Sequence, residues 1–397
     1  MSNLVTRVLT AADLEQFVDV RVQAFGVSRT DREQWIARVD ADTDAVSFGT
    51  FDGTKMLGGL RVLPGGQWWQ GRSVPMGGVA AVVVRPEARG RGVARSLLFA
   101  GLDWMREHDI AVSTLHPAST RVYRSAGWEL AGIQGVYHFP TRAAAGIRGA
   151  VDLVVERLEP EDHMAVRACY DSVARQTHGF VDRSESFWLL RELSLRDDGV
   201  FTYGVHGADG LRGYVRYHQE SSPGWWYRLV VDECIAADRD TAAALWRFLG
   251  GHSMQVQQLE VSAPSVEQIL MLTDEQDVTA VAENRWMVRI VDLERALAAR
   301  GYLETSRGAI TVRVTDPWPG GIDGTWEIEV ADSKADVRRA AGDADVTLDV
   351  GALSALNIGR FTASALARAG RVSGSPAAGE RLGALLAAPA PQFSDDF

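Results

Sequence analysis

The sequence predicts a mixed α/β and α+β fold made of three consecutive units. Residues 1–140 alternate helical and strand patterns, and a second passage of similar order begins near residue 151. From about Trp286 the pattern changes to short strands followed by an apolar, helix-rich end. A chain of 397 residues is also too long for one hydrophobic core. We therefore expect domains at residues 1–145, 150–284 and 285–397.

The first unit opens with a helix and continues into a sheet. Thr10 is a suitable N-cap for an apolar stripe of helical period, and Gly26 is a natural helix end. Residues 45–53 and 57–84 are short apolar runs separated by Gly and Pro, which predicts an antiparallel meander ending in a buried strand. A helix from Arg91 to about His108, a strand over residues 110–117 and a short helix starting near Ser119 complete the unit.

The second unit resembles a copy of the first. Residues 230–251, VVDECIAADRDTAAALWRFLGG, take the place that residues 79–101, VAAVVVRPEARGRGVARSLLFAG, hold in the first passage. This similarity predicts an internal duplication, with residues 141–150 as the linker. In the third unit, strands are predicted around residues 309–314 and 325–330.

Composition and charge exclude several classes of protein. No apolar run approaches the roughly 18 residues of a membrane span. Only Cys169 and Cys234 occur, which excludes a disulfide framework and a Cys-rich zinc site, so we expect no metal. The net charge of -11 argues against nucleic acid and favours cationic small molecules or peptides as partners. The N-terminus lacks a secretory signal layout, which predicts a cytoplasmic protein and leaves secretion without a signal peptide open.

Residues 78–98, GVAAVVVRPEARGRGVARSLL, contain the most informative motif. Residues 89–94 fit the pattern R/Q-x-x-G-x-G/A between a buried strand and a helix. Small residues let the backbone approach an anion, and amides at a helix N-terminus point towards it with the helix dipole behind them. The spacing matches neither G-x-G-x-x-G nor a Walker loop, so the pattern favours the pyrophosphate of coenzyme A. The alternative is an ordinary helix start with exposed arginines.

A second motif is ASTRVYRSAGW, residues 118–128. Tyr123 lies one turn into the short predicted helix, beside the cleft expected where neighbouring parallel strands diverge. A tyrosine in such a position is usually an amphipathic packed ring. Next to an anion-binding turn, it is also a candidate catalytic group.

Together, PEARGRGVARSLL and VYRSAGW resemble the GCN5-related N-acetyltransferases (GNAT), in which acetyl-CoA lies between the fourth and fifth strands. Over essentially all 397 residues the chain resembles the enhanced intracellular survival (Eis) family. The resemblance implies two tandem GNAT-like domains followed by a sterol-carrier-protein-like α+β domain. It also implies a homohexamer built as a dimer of trimers.

The resemblance further implies acetyl transfer from acetyl-CoA to amines, including several positions of aminoglycosides. Tyr123 matches the family's general acid, and the terminal carboxylate of Phe397 matches its general base. The implied contacts with acetyl-CoA are Val82, Val83, Val84, Gly90, Arg91, Gly92, Val93, Ala94, Arg95, Ala118 and Ser119. Two alternatives remain open, namely a peptide lysine N-acetyltransferase and a carrier of apolar ligands with a vestigial acetyltransferase domain.

The chemistry of the motif requires a base from elsewhere in the chain. Residues 78–84 contain no acid, yet a substrate ammonium must lose a proton before it attacks a thioester. Tyr123 is protonated at neutral pH and suits the role of acid, whereas a terminal carboxylate needs burial beside aromatic rings to become a useful base. Asp395 and Asp396 would add negative potential there. His116 is the reserve candidate for the base.

The remaining aromatic and acidic residues give weaker expectations. The second copy has no glycine in its corresponding turn and places Asp238 and Asp240 there, so we expect it to bind no coenzyme and to close one side of the substrate cleft. Phe25 and Trp35 are predicted to pack in a helix face rather than to form an amine pocket. Of Trp68 and Trp69, one is expected to face outward.

Overall fold

The computed structural model describes residues 4–26, 32, 36, 39, 42–149, 152–195, 199–222, 226–265, 267–274 and 278–397. Within them lie a 13-stranded sheet and a separate five-stranded sheet. Helices cover both sheets, and the predicted mixed α/β class is confirmed.

The first unit begins with a capped helix, as predicted. Its strands are β1 (Leu4–Val8), β2 (Val46–Asp52), β3 (Lys55–Trp69), β4 (Arg72–Val84), β5 (Val112–Leu115) and β6 (Glu129–Pro140). Its helices are α1 (Leu14–Phe25), α2 (Val93–Glu107), α3 (Thr120–Arg124) and α4 (Thr141–Ala145). Thr10 caps a 3-10 turn that leads into α1, and Gly26 ends the helix in the left-handed conformation at φ 67°.

Two local predictions for this unit were wrong, and one strand was missed. Helix α2 begins at Val93 instead of Arg91, because Gly92 takes φ 82° and only then does the chain turn helical. Strand β1 was not predicted. The first half of the predicted linker forms α4, so the linker does not begin at residue 141.

The second unit repeats the order of the first. Its strands are β7 (Val155–Leu158), β8 (Val181–Asp182), β9 (Val200–Gly207), β10 (Gly210–Glu220), β11 (Arg228–Ala236), β12 (Gln258–Ala263) and β13 (Thr279–Ile290). Its helices are α5 (His163–Ala174), α6 (Glu185–Leu195), α7 (Arg239–Gly250) and α8 (Glu267–Leu270). The strand and helix predicted over residues 230–251 are β11 and α7, and the side chain of Asp238 caps α7 by accepting from Thr241 N.

The third unit has its own five-stranded sheet, in the order β16-β15-β14-β17-β18. The strands are β14 (Gly308–Thr315), β15 (Gly324–Ala331), β16 (Lys334–Arg339), β17 (Val346–Asp349) and β18 (Val372–Gly374). The helices are α9 (Leu293–Ala299), α10 (Val350–Asn357), α11 (Ala363–Arg368) and α12 (Pro376–Leu385). Both predicted strands are present, as β14 and β15.

The first two units exchange their last strands. The large sheet runs β1-β2-β3-β4-β5-β13-β6-β12-β11-β10-β9-β7, so β13 of the second unit lies beside β5, and β6 of the first unit lies beside β12. Strands β6 and β13 also pair with each other. The domain boundary predicted at residue 284 falls inside β13. Because each unit contributes a strand to the other, the two form one continuous sheet.

The long β3–β4 hairpin is buried between units. Trp69 is fully buried, and Trp68 is half-buried against the second unit, where β8 pairs with β3. Neither tryptophan faces outward, which corrects that prediction. Phe25 is 53% exposed, so its predicted packing is also wrong. Trp35 lies outside the described residues.

Candidate active site

A cleft opens where β4 and β5 stop pairing. The two strands are parallel and bonded only from Met76 to Gly78, opposite Val112–Thr114. Ala81 then adopts φ 49° within a bulge against β3, which turns β4 away from β5. Bulges bend a strand in this way and are frequent beside active sites. Val83 is buried on this diverging stretch, and Val82 and Val84 are half-buried.

The predicted anion-binding turn lies at the end of β4. Gly90 and Gly92 take φ 77° and 82°, conformations that favour glycine, and a Cβ at either position would meet no atom within 4 Å. Helix α2 begins at Val93, so the amides of Val93, Ala94 and Arg95 have no acceptor within the helix. These free amides, at the positive end of a 15-residue helix, fit a pyrophosphate.

Several arginines in and around this turn already contact other groups of the protein. Arg91 pairs with Asp52 at 2.8 Å, and Arg85 donates to the Met56 carbonyl at 2.7 Å. The Arg95 guanidinium lies 5.0 Å from the centre of the Phe99 ring. The backbone amides are therefore the more direct anion donors, with the exposed arginines around them.

Tyr123 lies on α3, in the same buried cluster as Val79 of β4 and Leu115 of β5. Its side chain is 7% exposed, and its ring meets Trp128 edge to face at 6.4 Å. Burial raises the pKa of Tyr123 to about 12, so the phenol keeps its proton at neutral pH. Ala118 and Ser119 precede this helix and are exposed, with Ser119 at the N-cap position.

Two ion-pair clusters, each built around a buried carboxylate, connect α3 to the third unit. Arg289 of β13 donates to the Ala126 carbonyl just after α3 and pairs at 2.7 Å with Asp316, and both side chains are fully buried. Glu129 accepts from Arg124 of α3 at 2.6 Å and from Arg371 of the third unit at 2.7 Å. The helix that carries Tyr123 is thus held by residues more than 150 positions away in the sequence.

The C-terminal residue reaches the strand that borders the cleft. A Cβ at Gly78 would lie only 2.8 Å from Phe397 Cε2 and 3.1 Å from Phe187 Cζ, so only glycine leaves room for these rings. The Phe397 ring lies 5.3 Å from Phe187 and 6.1 Å from His116, edge to face in each case. The structure therefore brings the terminal residue against the first unit.

His116, the reserve candidate, contacts the same tail. Its Nε2 lies 3.0 Å from the Asp395 carbonyl oxygen and 3.6 Å from Asp396 Oδ1. A carbonyl oxygen only accepts, so Nε2 carries the proton in this contact. The imidazole therefore supports the tail at this nitrogen.

One expectation for the tail needs correction. Asp395 was expected to add negative potential for a cationic substrate, but it is 2% exposed and pairs with Arg183 and Arg191 of the second unit. Its charge is neutralised there. Asp396, whose side chain is 68% exposed, is the tail carboxylate that faces solvent.

Sequence reasoning missed Gly78, Phe187 and Arg183. A signal existed for Gly78, since a Gly-Gly pair inside an apolar strand indicates close approach by another group. Phe187 and Arg183 lie far from any motif, and only the folded chain brings them to the tail. No local pattern distinguishes them from ordinary surface and core residues.

Comparison with known proteins identifies the family of each unit. Residues 5–131 and residues 179–290 each match an acetyltransferase (GNAT) domain family, and residues 293–394 match the sterol carrier protein domain family. The chain is therefore a GNAT acyltransferase with two such domains and a sterol-carrier-like third domain. None of the helices in the described ranges is long and apolar enough to cross a membrane.

Comparison with individual proteins identifies a narrower group within the GNAT acetyltransferases. The N-acetyltransferase Eis of Mycobacterium tuberculosis is 25% identical over 75% of this chain and 74% of its own. The structure of Eis1 from Mycobacterium abscessus superposes with a TM-score of 0.81 at 25% identity, covering 99% of this chain and 100% of that one. A GCN5-related N-acetyltransferase from Anabaena variabilis gives a TM-score of 0.92 at 28% identity over the whole of both chains. The chain belongs to the Eis-like GNAT N-acetyltransferases, as the sequence motifs predicted, and its GNAT domains imply acetyl-CoA as the cosubstrate.

Proposed function

We propose that this N-acetyltransferase transfers the acetyl group of acetyl-CoA to amines of aminoglycoside-like polyamines, at more than one position. In this proposal Tyr123 is the general acid and the terminal carboxylate of Phe397 is the general base. The observation that carries it is the contact of the Phe397 ring with Gly78, on a strand that offers no acid of its own. We also propose a cytoplasmic homohexamer of two trimers, by resemblance to the family.

The binding of acetyl-CoA is assigned to backbone groups. The amides of Gly90, Gly92 and residues 93–95, with Arg91 and Arg95 beside them, would hold the pyrophosphate, and Val82–Val84 would bond the pantetheine. Ala118 and Ser119 would line the opposite wall. Bound acetyl-CoA supplies the acetyl group as a thioester.

The acid and the base act at different atoms. The Phe397 carboxylate takes a proton from the substrate ammonium, directly or through water, so that the amine nitrogen can attack the acetyl carbon. Tyr123 donates its proton to the sulfur as the carbon–sulfur bond breaks, and the nitrogen loses its second proton to solvent, which also returns a proton to the phenol. Burial keeps the phenol protonated at neutral pH, as this role requires.

The test measures thiol release from acetyl-CoA with a panel of aminoglycosides and a lysine peptide. Tyr123→Phe should lower kcat by about 100-fold or more, within the range of general acid catalysis, with the KM for acetyl-CoA nearly unchanged. The matched control is Tyr302→Phe, which removes another buried hydroxyl, one that donates to the Leu297 carbonyl in the third unit. That control should keep its kcat.

The terminal carboxylate is tested separately from its ring. Phe397→Leu keeps the carboxylate, whereas one extra glycine after Phe397 keeps the ring and moves the carboxylate. The extended chain should lose most of its kcat, and the leucine variant should lose much less. Normal turnover by the extended chain would contradict the role of the carboxylate, and turnover confined to the peptide would contradict the polyamine substrate.

A further inference from the structure

The carboxylate of Asp395 lies in a buried, positively charged socket made by the second unit. Arg183 Nε lies 2.8 Å from Asp395 Oδ1, and Arg191 Nε lies 3.4 Å from the same oxygen. The Tyr170 hydroxyl is 3.3 Å from Oδ2. The Arg183 side chain is fully buried, which is rare for a charged residue without a partner. The socket therefore gives the buried Asp395 carboxylate two cationic partners.

The tail supplies one of the two carboxylates that offset the positive charge of the socket. Glu233 of β11 pairs with Arg183 at 2.5 Å, and Arg191 and Arg216 approach it at 3.9 and 4.0 Å. Burial opposes its ionisation, but these arginines hold the pKa of Glu233 well below its usual value. Three arginines therefore face two carboxylates, and one of the two comes from the tail. Without Asp395, the three arginines would face Glu233 alone, and the excess of buried positive charge would grow.

This socket occupies the place in the second unit that corresponds to the acetyl-CoA cleft of the first. Strands β11 and β12 pair in parallel only from Leu229 to Val231, opposite Leu259–Val261, and then diverge as β4 and β5 do. A pocket of about 110 Å³ lies at this divergence, and its lining includes Glu233 together with Gln392 and Ser394 of the tail. The tail therefore runs from the crevice of the second unit to the cleft of the first.

Further bonds fix the residues that lead into the socket. Gln392 N donates to the His178 carbonyl at 2.8 Å, and Arg191 Nη2 donates to the Ser394 carbonyl at 2.8 Å. The Phe393 ring stacks on Trp286 at 4.7 Å. Two residues of extended chain span at most about 7 Å, so a fixed Asp395 confines Phe397 to a small volume at the cleft.

We propose that Asp395 is a positioning residue, whose capture by Arg183 and Arg191 sets the location of the Phe397 carboxylate for proton transfer. The degenerate second unit thus binds the chain's own C-terminus in the crevice that corresponds to the proposed coenzyme cleft of the first unit. This inference rests on the proposed role of Phe397 as the base. A misplacement of about 1 Å in a reacting group can cost about 100-fold in rate, which gives the scale of the expected effect.

The experiment compares Asp395→Asn and Asp395→Glu in the full chain. Asparagine should lower kcat by about 100-fold while the KM for acetyl-CoA stays within about twofold, because the coenzyme-binding turn is untouched. Glutamate restores the charge and should recover much of kcat. The matched control is Asp13→Asn, which removes a carboxylate paired with Arg7 at 2.7 Å in the first unit. It should lower the Tm without a specific loss of kcat.

A second pair of variants keeps the test decisive if Asp395→Asn does not fold. Arg191→Lys keeps a cation at the socket and should retain most of kcat, whereas Arg191→Met should not. Equal kcat in these two, or normal kcat in folded Asp395→Asn, would overturn the positioning role. The chain extended by one glycine is measured in parallel. If the extended chain turns over normally, Phe397 is not the base, and both the proposed mechanism and this inference are wrong. If the extended chain is inactive but Asp395→Asn is active, only this inference is wrong.

Discussion

The buried imidazole of His178 predicts a loss of stability on acidification. Its Nε2 lies 2.9 Å from the Ile358 carbonyl oxygen, and its Nδ1 lies 3.1 Å from the backbone nitrogen of Gln70. The carbonyl only accepts and the amide only donates, so Nε2 carries the proton and Nδ1 has none. A second proton would remove the acceptor for Gln70 and place a charge where the side chain is 7% exposed. This one ring joins all three units.

The sign and size of the effect follow from the pKa. Burial, helped by the nearby Arg300 charge and opposed by the bond to Ile358, lowers the pKa of His178 from 6.5 to about 4. Below about pH 6.5 the unfolded chain binds a proton that the folded chain does not, so stability falls as the pH falls through this window. Below about pH 4 both states are protonated and this loss stops. A difference of about 2.5 pKa units corresponds to about 3 kcal/mol.

The measurement is urea unfolding between pH 4 and 7.5 for the natural chain, His178→Gln and His163→Gln. The free energy of unfolding of His178→Gln should vary with pH by about 3 kcal/mol less than that of the natural chain. His163 is exposed at the start of α5, and its variant should follow the natural chain. Nuclear magnetic resonance of the folded protein would report the His178 titration directly. Parallel curves for all three chains, or a native midpoint near 6.5, would refute the reasoning.

Two further predictions concern the support of α3. Asp316→Ala leaves the buried Arg289 guanidinium without its carboxylate and should lower the free energy of unfolding in urea by about 3–5 kcal/mol. The control Glu283→Ala breaks a half-exposed pair on the same strand as Arg289 and should lower it by less than about 1 kcal/mol. Similar losses for the two would contradict the burial argument. Gly127→Ala would place a Cβ where the Arg289 guanidinium lies, at φ 95°, and should prevent folding or lower the Tm sharply. Gly379→Ala, inside α12 with no atom within 4 Å, should instead be neutral or stabilising, and equal Tm values for both would count against this prediction.

Local features were predictable from the sequence where one residue type has one physical reason to be there. The glycines of the predicted anion-binding turn were found because small residues let the backbone approach an anion, and Gly26 because glycine commonly ends a helix; all three have positive φ. The placement of Tyr123 on a short helix followed from the strand before it. The acetyltransferase class, the two GNAT domains and the sterol-carrier-like domain followed from these motifs and the family resemblance.

Other features depend on contacts between distant parts of the chain. The exchange of β6 and β13 has no local signature, because each strand has the same pattern whichever neighbour it pairs with. Asp395 has the sequence context of a solvated tail, and only the arginines of the second unit make it buried. The burial of Trp68 against that unit depends likewise on how the units pack. Pairing partners and charge compensation are decided by tertiary structure.

The architecture explains why the acetyltransferase domain does not stand alone in this chain. Its open edge at β5 is covered by β13, and Asp316 and Arg371 of the third unit hold its α3 through Arg289 and Glu129. Phe397, from the end of the chain, packs against Gly78 of its β4. The second unit supplies both a strand and the socket for Asp395. An exposed sheet edge and a buried unpaired arginine are each costly, so separating the units would lose stability as well as the proposed base. The second and third units therefore both contribute strands or side chains to the surroundings of β4, β5 and α3 in the first unit.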